Sequence, residues 1–174
     1  MTKTPYEIRA YRFAQTLCRL FEECSTLEDF EWAIRQYNRT HSIPLNYDHG
    51  VSRIAIIRSD YVIKFDLKPE EEWDDGEGYC RAGNNSSEEE VYERAVRDGF
   101  AYLLAKTTVV RIMGREISIM PRIYHVGDTS RCYYSYLTEE EFDWIEANIY
   151  DVHSWNVGYK NNKPVIIDYG WDAE

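Results

Sequence analysis

A short β-branched run, Val165-Ile166-Ile167, stands on one side of the turn pair Asn161-Asn162, with Val157-Gly158-Tyr159 on the other. Val and Ile favour a pleated, half-buried backbone and Asn-Asn is turn chemistry, so the two runs predict the arms of a β-hairpin. That hairpin constrains the chain more than any other stretch. It folds Asp168, at the end of the second arm, back beside Asp151 and Asn156 on the loop that enters the first. Two carboxylates and a carboxamide thereby converge on one small volume. Phosphoryl transfer needs such a set. One carboxylate orients the proton of an attacking hydroxyl, while a carboxylate and an amide oxygen hold Mg2+ against phosphates. A plainer account is also open: Asp151 caps a turn, Asn156 forms an Asx-turn and Asp168 ends a strand.

Upstream, the hydrophobic period changes once. Ile8, Tyr11, Phe13, Ala14, Leu17, Leu20 and Phe21 recur near a 3.6-residue period after Pro5, a first-turn residue. Ser25-Thr26 and Glu28-Asp29 interrupt with N-cap chemistry, and Phe30, Ala33, Ile34 and Tyr37 resume the period. Residues 5–38 therefore predict a helical hairpin whose apolar stripe packs on the rest of the chain. From Ile43 the grammar is that of strands. A polar turn over Asp48–Arg53 leads into Ile54–Ile57, then Arg58-Ser59-Asp60, then Tyr61–Phe65, a second hairpin carrying Lys64 between Ile63 and Phe65. A strand lysine so flanked is either a ligand-facing cation or an edge-strand gatekeeper. Residues 69–85 are acidic and glycine-bearing and read as a surface loop. Ser86-Ser87-Glu88-Glu89 opens a helix to about Arg97. Thr107–Ile112 and Glu116–Met120 predict two further strands around Met113-Gly114, and Thr138–Glu141 caps a last helix before Asp151.

Asp151 with Asn156, then Val165-Ile166-Ile167-Asp168-Tyr169-Gly170 roughly a dozen residues later, resembles the catalytic and metal loops of protein-kinase-like enzymes. With His153 inside the loop it is similar to atypical kinases, small-molecule phosphotransferases and the early protein kinases of podophages. Tyr61-Val62-Ile63-Lys64 likewise resembles the kinase strand whose lysine pairs with nucleotide phosphates. The resemblance runs over residues 48–170 and implies an α+β, truncated two-lobed kinase-like fold. Its parts are an antiparallel N-lobe sheet with a helix and a short C-lobe. Residues 43–174 form the domain and residues 1–42 an added helical hairpin. It implies Asp151 as catalytic base, Lys64 on the phosphates, and a helix glutamate holding Lys64. Glu89, Glu90 and Glu93 are candidates, and Glu89 is preferred because Tyr92 and Ala95-Val96 then share its inward face. It implies ATP and Mg2+ as cofactors. Gly50 and Ser52 would lie in the phosphate cover, Met120 and Ile123 along the adenine slot, and Asn156 and Asp168 on the metal. Met120 is equally explained as core. The cover turn has one glycine where the kinase pattern has three, and Ile149-Tyr150 replaces the usual His-Arg before the catalytic aspartate.

Charge narrows the partners. A net charge of −11 with pI near 4.9 opposes binding to a phosphate backbone, so a protein substrate or partner is expected and direct nucleic-acid contact is not. No run is long and apolar enough for a membrane helix, Met1–Pro5 has no apolar signal core, and four cysteines show no C-x-x-C pairing. A reducing cytoplasm is the expected setting. Three functions fit: a phage-type phosphotransferase acting on host proteins, a kinase-derived module that covers a host or defence protein without turnover, and a metal hydrolase using Asp151, His153 and Asp168. The last leaves Lys64 idle.

Overall fold

Three threonines set where helices begin. A computed structural model of the protein describes residues 4–50, 52–67, 85–124, 134–149, 152–161 and 163–169. In it the hydroxyls of Thr4, Thr26 and Thr138 accept hydrogen bonds from the N–H groups of Glu7, Asp29 and Glu141. Each of these acids accepts a bond from its threonine's N–H in return, which closes a capping box. The first two open α1 (Pro5–Leu20) and α2 (Leu27–Thr40). Next comes α3 (Asn85–Asp98), and the third threonine opens α4 (Glu139–Asn148). The sequence-predicted helical hairpin is thus two capped helices. The predicted catalytic Asp151, the acidic stretch from Pro69 to Asn84 and most of the connector after Tyr124 lie outside the described residues.

Five strands form one antiparallel sheet: β1 (Asn46–His49), β2 (Arg53–Ile57), β3 (Tyr61–Asp66), β4 (Thr108–Ile112) and β5 (Arg115–Pro121), in the order β1-β2-β3-β5-β4. The fold is α+β. Strand periodicity gives the sheet two unlike faces. Ile54, Phe65 and Ile117 stand in one cross-strand row, and Ile56, Ile63 and Ile119 in the next. This apolar face is sealed by α1 and α2. The rings of Phe21 and Phe30 meet Phe65 at centroid distances of 5.3 and 5.7 Å, and each other at 4.9 Å. The opposite face carries Arg53, Ala55, Lys64 and Ser118, with Ala55, Lys64 and Ser118 in one row. Residues 4–42 therefore share a core with the sheet.

The turn before β2 is shorter than predicted. Asp48 and His49 end an exposed edge strand, and Arg53 begins β2 with its side chain buried. β1 reads Asn-Tyr-Asp-His, which has no apolar alternation to reveal it.

The predicted C-terminal hairpin is β6 (Val157–Lys160) paired with β7 (Lys163–Ile166), and Asn161 has φ +53 in the turn between them. Ala105 N–H donates to Ile166 O at 2.8 Å, and Tyr159 N–H to Tyr124 O at 3.3 Å, so the hairpin is stitched to the chain on both sides of β4 and β5. Gly158 makes this possible. A Cβ there would stand 2.6 Å from Ile123 Cγ2 and 3.0 Å from Tyr124 O. A second core joins α3, α4 and the hairpin through Val91, Ala95, Trp144, Ile145, Val157 and Ile166. Among the described residues no helix is long and apolar enough to cross a membrane.

Candidate functional site

Lys64 points from the polar face of β3 toward α3, where it is 6% exposed. A buried ammonium is tolerated only when its three protons find acceptors. Here Nζ donates to Glu88 Oε1 at 2.7 Å, to Ile167 O at 3.0 Å and to Asp168 Oδ1 at 3.4 Å. Two of these acceptors come from just past the C-terminal hairpin, more than a hundred residues along the chain. The sequence reading required Lys64 and Asp168 to meet, and the fold brings them together. Asn156 joins the group through the backbone: Ile167 N–H donates to Asn156 O at 2.7 Å. Ile167 thus holds the lysine with its carbonyl and the asparagine with its N–H.

The lysine's partner on the helix is Glu88, not Glu89. Asn85, Glu88, Val91 and Ala95 are the buried positions of α3, spaced three, three and four residues apart along one face. Glu89 is one position round, about 100° away. It accepts the backbone N–H of Val109 at 2.8 Å. Val96, expected to point inward, is 55% exposed. Glu88 is fully buried, with Oε2 accepting the Ser118 hydroxyl at 3.1 Å.

A second cation enters where the sequence reading placed a turn. The Arg53 guanidinium is buried against both carboxylates: one nitrogen hydrogen-bonds Asp168 Oδ1, and the other lies 3.3 Å from Glu88 Oε2. The signal for Arg53 was its position two residues before Ala55, the cross-strand partner of Lys64, which puts both cations on one face. Electrostatics follow from this packing. Burial, and then the Arg53 charge, bring Lys64 down to about 8, while Glu88 pulls it back upward. Glu88 is held below the ordinary carboxylate range by Lys64 and Arg53, against the upward push of its burial.

The remaining sequence candidates are spread around this centre. Gly50 is exposed, and no atom stands within 4 Å of where its Cβ would be, so nothing there demands glycine. Ser52 O accepts Leu67 N–H at 2.8 Å, which anchors the turn beside Arg53. Met120 is 2% exposed and packs with Ala105 and Val165, so its side chain is core rather than an open wall. Val62, Ile123 and Ile167 are the partly exposed apolar side chains around that cluster. Tyr169, after Asp168, is buried and its hydroxyl donates toward Ala105 O and Thr107 Oγ1.

Asp66, two residues after Lys64 on the same face, behaves differently. Burial raises its carboxyl to about 6, helped by the nearby Glu116 charge and opposed by the Asn85 N–H bond at 3.1 Å and by Arg53. Its folded value exceeds the ordinary 3.8. The fold therefore holds a proton that the unfolded chain has released between those values, and stability from this group falls as pH rises from about 4 to about 6. Carboxyl NMR should show an Asp66 midpoint near pH 6, and Asp66→Asn should flatten that limb of a stability–pH curve. An Asp66 titration at the ordinary value would contradict its burial.

No protein-family model matches the chain, and no curated protein matches it. Among solved structures it is similar to the co-crystal structure of WbdD and the kinase inhibitor LY294002, at 17% identity and a TM-score of 0.36. The match covers 74% of this chain and 32% of that one, so the chain spans about a third of the other's length. The likeness is distant.

Proposed function

We propose that this chain is an ATP- and Mg2+-dependent phosphotransferase of kinase-like, two-lobed build, with residues 43–174 as the domain and residues 1–42 as a helical cover. One observation carries the reading: a buried lysine paired to a helix carboxylate also touches Asp168, with Asn156 tied to the residue between them. Phosphoryl transfer is mostly positioning and charge stabilisation, and these are the groups it uses. Lys64 holds nucleotide phosphates. All three of its protons are engaged, so phosphate takes the place of the longest contact, that to Asp168. Glu88 keeps the ammonium ionised and aimed.

The donor set fits a hard divalent ion. The Asp168 side chain is 45% exposed, so a cation can approach from solvent, and Asn156 adds an amide oxygen. Among the described residues no trio of His, Cys, Asp or Glu side chains is placed to hold a metal, so water and phosphate oxygens complete the shell. When bound, Mg2+ supplies neutralisation of the phosphate charge. Asp151 accepts the proton of the acceptor hydroxyl, and the acceptor is a protein surface. A second reading, a kinase-derived binding module without turnover, is favoured by the Arg53 ion pair on the metal aspartate.

Thermal unfolding with ATP and Mg2+ tests both. A ligand at a hundred times its Kd adds about 2.7 kcal/mol, a rise of several degrees in Tm for a chain of this size. The native chain should show that rise, and Lys64→Met and Asp168→Ala should lose it. Phosphate transfer abolished in Asp151→Ala supports the enzyme, a shift without transfer supports the module, and no shift sinks the enzyme.

A further inference from the structure

We propose that Arg53 is a built-in counter-ion that occupies Asp168 in place of the divalent cation and makes metal binding depend on a polyphosphate. The inference rests on the nucleotide reading above, but its first test needs no nucleotide. Among the described residues four charged side chains are ion-paired at this centre, Arg53 and Lys64 against Glu88 and Asp168, and the Asp66 carboxyl acts on both cations from further off. Such a set gains little from a free divalent ion, because a guanidinium and an ammonium already bonded to Asp168 Oδ1 repel a cation approaching the same carboxylate.

One guanidinium nitrogen has a charge partner but no hydrogen bond: Arg53 is 7% exposed, and its Nη1 lies 3.3 Å from Glu88 Oε2 without a hydrogen bond there or to any other described residue. Buried donors left unmatched are rare, and this one stands in the same charge cluster as Lys64, where a phosphate oxygen would give it a hydrogen-bond partner. A polyphosphate supplies acceptors for Nη1, and for Nη2 once it leaves Asp168. The carboxylate is then free for the cation that travels with the phosphates. The exchange needs only side-chain movement. The Arg53 backbone is fixed in β2, where its carbonyl accepts Gly50 N–H at 3.0 Å and it pairs with Asp66.

Mn2+ titration, followed by the EPR signal of the free ion, tests this without reference to turnover. Native protein should bind Mn2+ weakly when alone, and Arg53→Gln should bind it about tenfold tighter, the scale of one charge-assisted hydrogen bond removed from Asp168. Adding Asp168→Asn to Arg53→Gln should erase the gain. Metal-free ATP should bind Arg53→Gln more weakly than native protein. A folded Arg53→Gln whose Mn2+ affinity is unchanged or lower overturns the proposal. Should that variant not fold, Arg53→Lys keeps the charge but cannot span both carboxylates. It should show a smaller gain, and its absence is equally fatal. Failure of ATP and Mg2+ to shift native unfolding rejects the nucleotide reading and leaves the metal-only result to stand or fall by itself.

Discussion

Replacing Glu88 by alanine should cost about 3–5 kcal/mol of stability, the range found when one partner of a buried ion pair is removed. Glu88 is the principal counter-charge for two cations, Lys64 at 2.7 Å and Arg53 at 3.3 Å, and none of the three is more than 8% exposed at its side chain. Without it, among the described residues, Asp168 near the surface and the more distant Asp66 remain to balance them. That is a large part of a typical total of roughly 5–15 kcal/mol. Glu88→Gln keeps the shape and one acceptor and should fall between alanine and native. Glu89→Ala removes one bond to Val109 N–H and should cost only about 1 kcal/mol. Urea denaturation of the three variants measures this, and a larger loss from Glu89→Ala than from Glu88→Ala would reject the observed helix face. The folded carboxyl of Glu88 lies below its ordinary 4.5, so its contribution is complete above that value and is lost as pH falls through the lower one. Glu88→Gln should accordingly show a shallower acid limb.

Phe65→Ala should cost about 3–5 kcal/mol for a different reason, loss of a buried ring and the cavity left behind. Its ring joins Phe21 and Phe30, one from just past α1 and one from α2, to the centre of the sheet, and it is 1% exposed. Edge-on and tilted rings at these spacings add to the burial term. Phe65 also follows Lys64 directly, so a collapse of its pocket shifts the strand that aims the ammonium. Urea midpoints and the unfolding slope should show a large loss at unchanged slope. A loss under about 1 kcal/mol would mean that the helices do not clamp this face as described.

How much of this was legible follows from which signals are local. The C-terminal hairpin, the Lys64 strand and the capped helices carry their own periodicity and turn chemistry, and they stand where the sequence placed them. The Lys64–Asp168 meeting was legible through the resemblance of both stretches to kinase-like motifs, since a lysine between Ile63 and Phe65 alone left an edge-strand gatekeeper equally open. The helix glutamate was missed by one residue. Consecutive carboxylates from Glu88 to Glu90 look alike until Val91 and Ala95 are counted from the right one. Arg53 was hidden by β1, an edge strand whose exposed polar residues mimic a turn, so the start of β2 was read as loop. Met120, for which slot and core were both open, stands on the same sheet face as Lys64 and Ser118, and its side chain is buried against Ala105 and Val165.

Asp168 sits between two anchored neighbours. Ile167 is tied at both its N–H and its carbonyl, and Tyr169 is sunk in the core with its hydroxyl bonded to Ala105 and Thr107. Swinging the carboxylate out by a main-chain rearrangement would break these bonds, whereas rotation about the bonds of Asp168 itself would not. With the peptide anchored on both sides, what changes most readily at this centre is which cation holds the carboxylate.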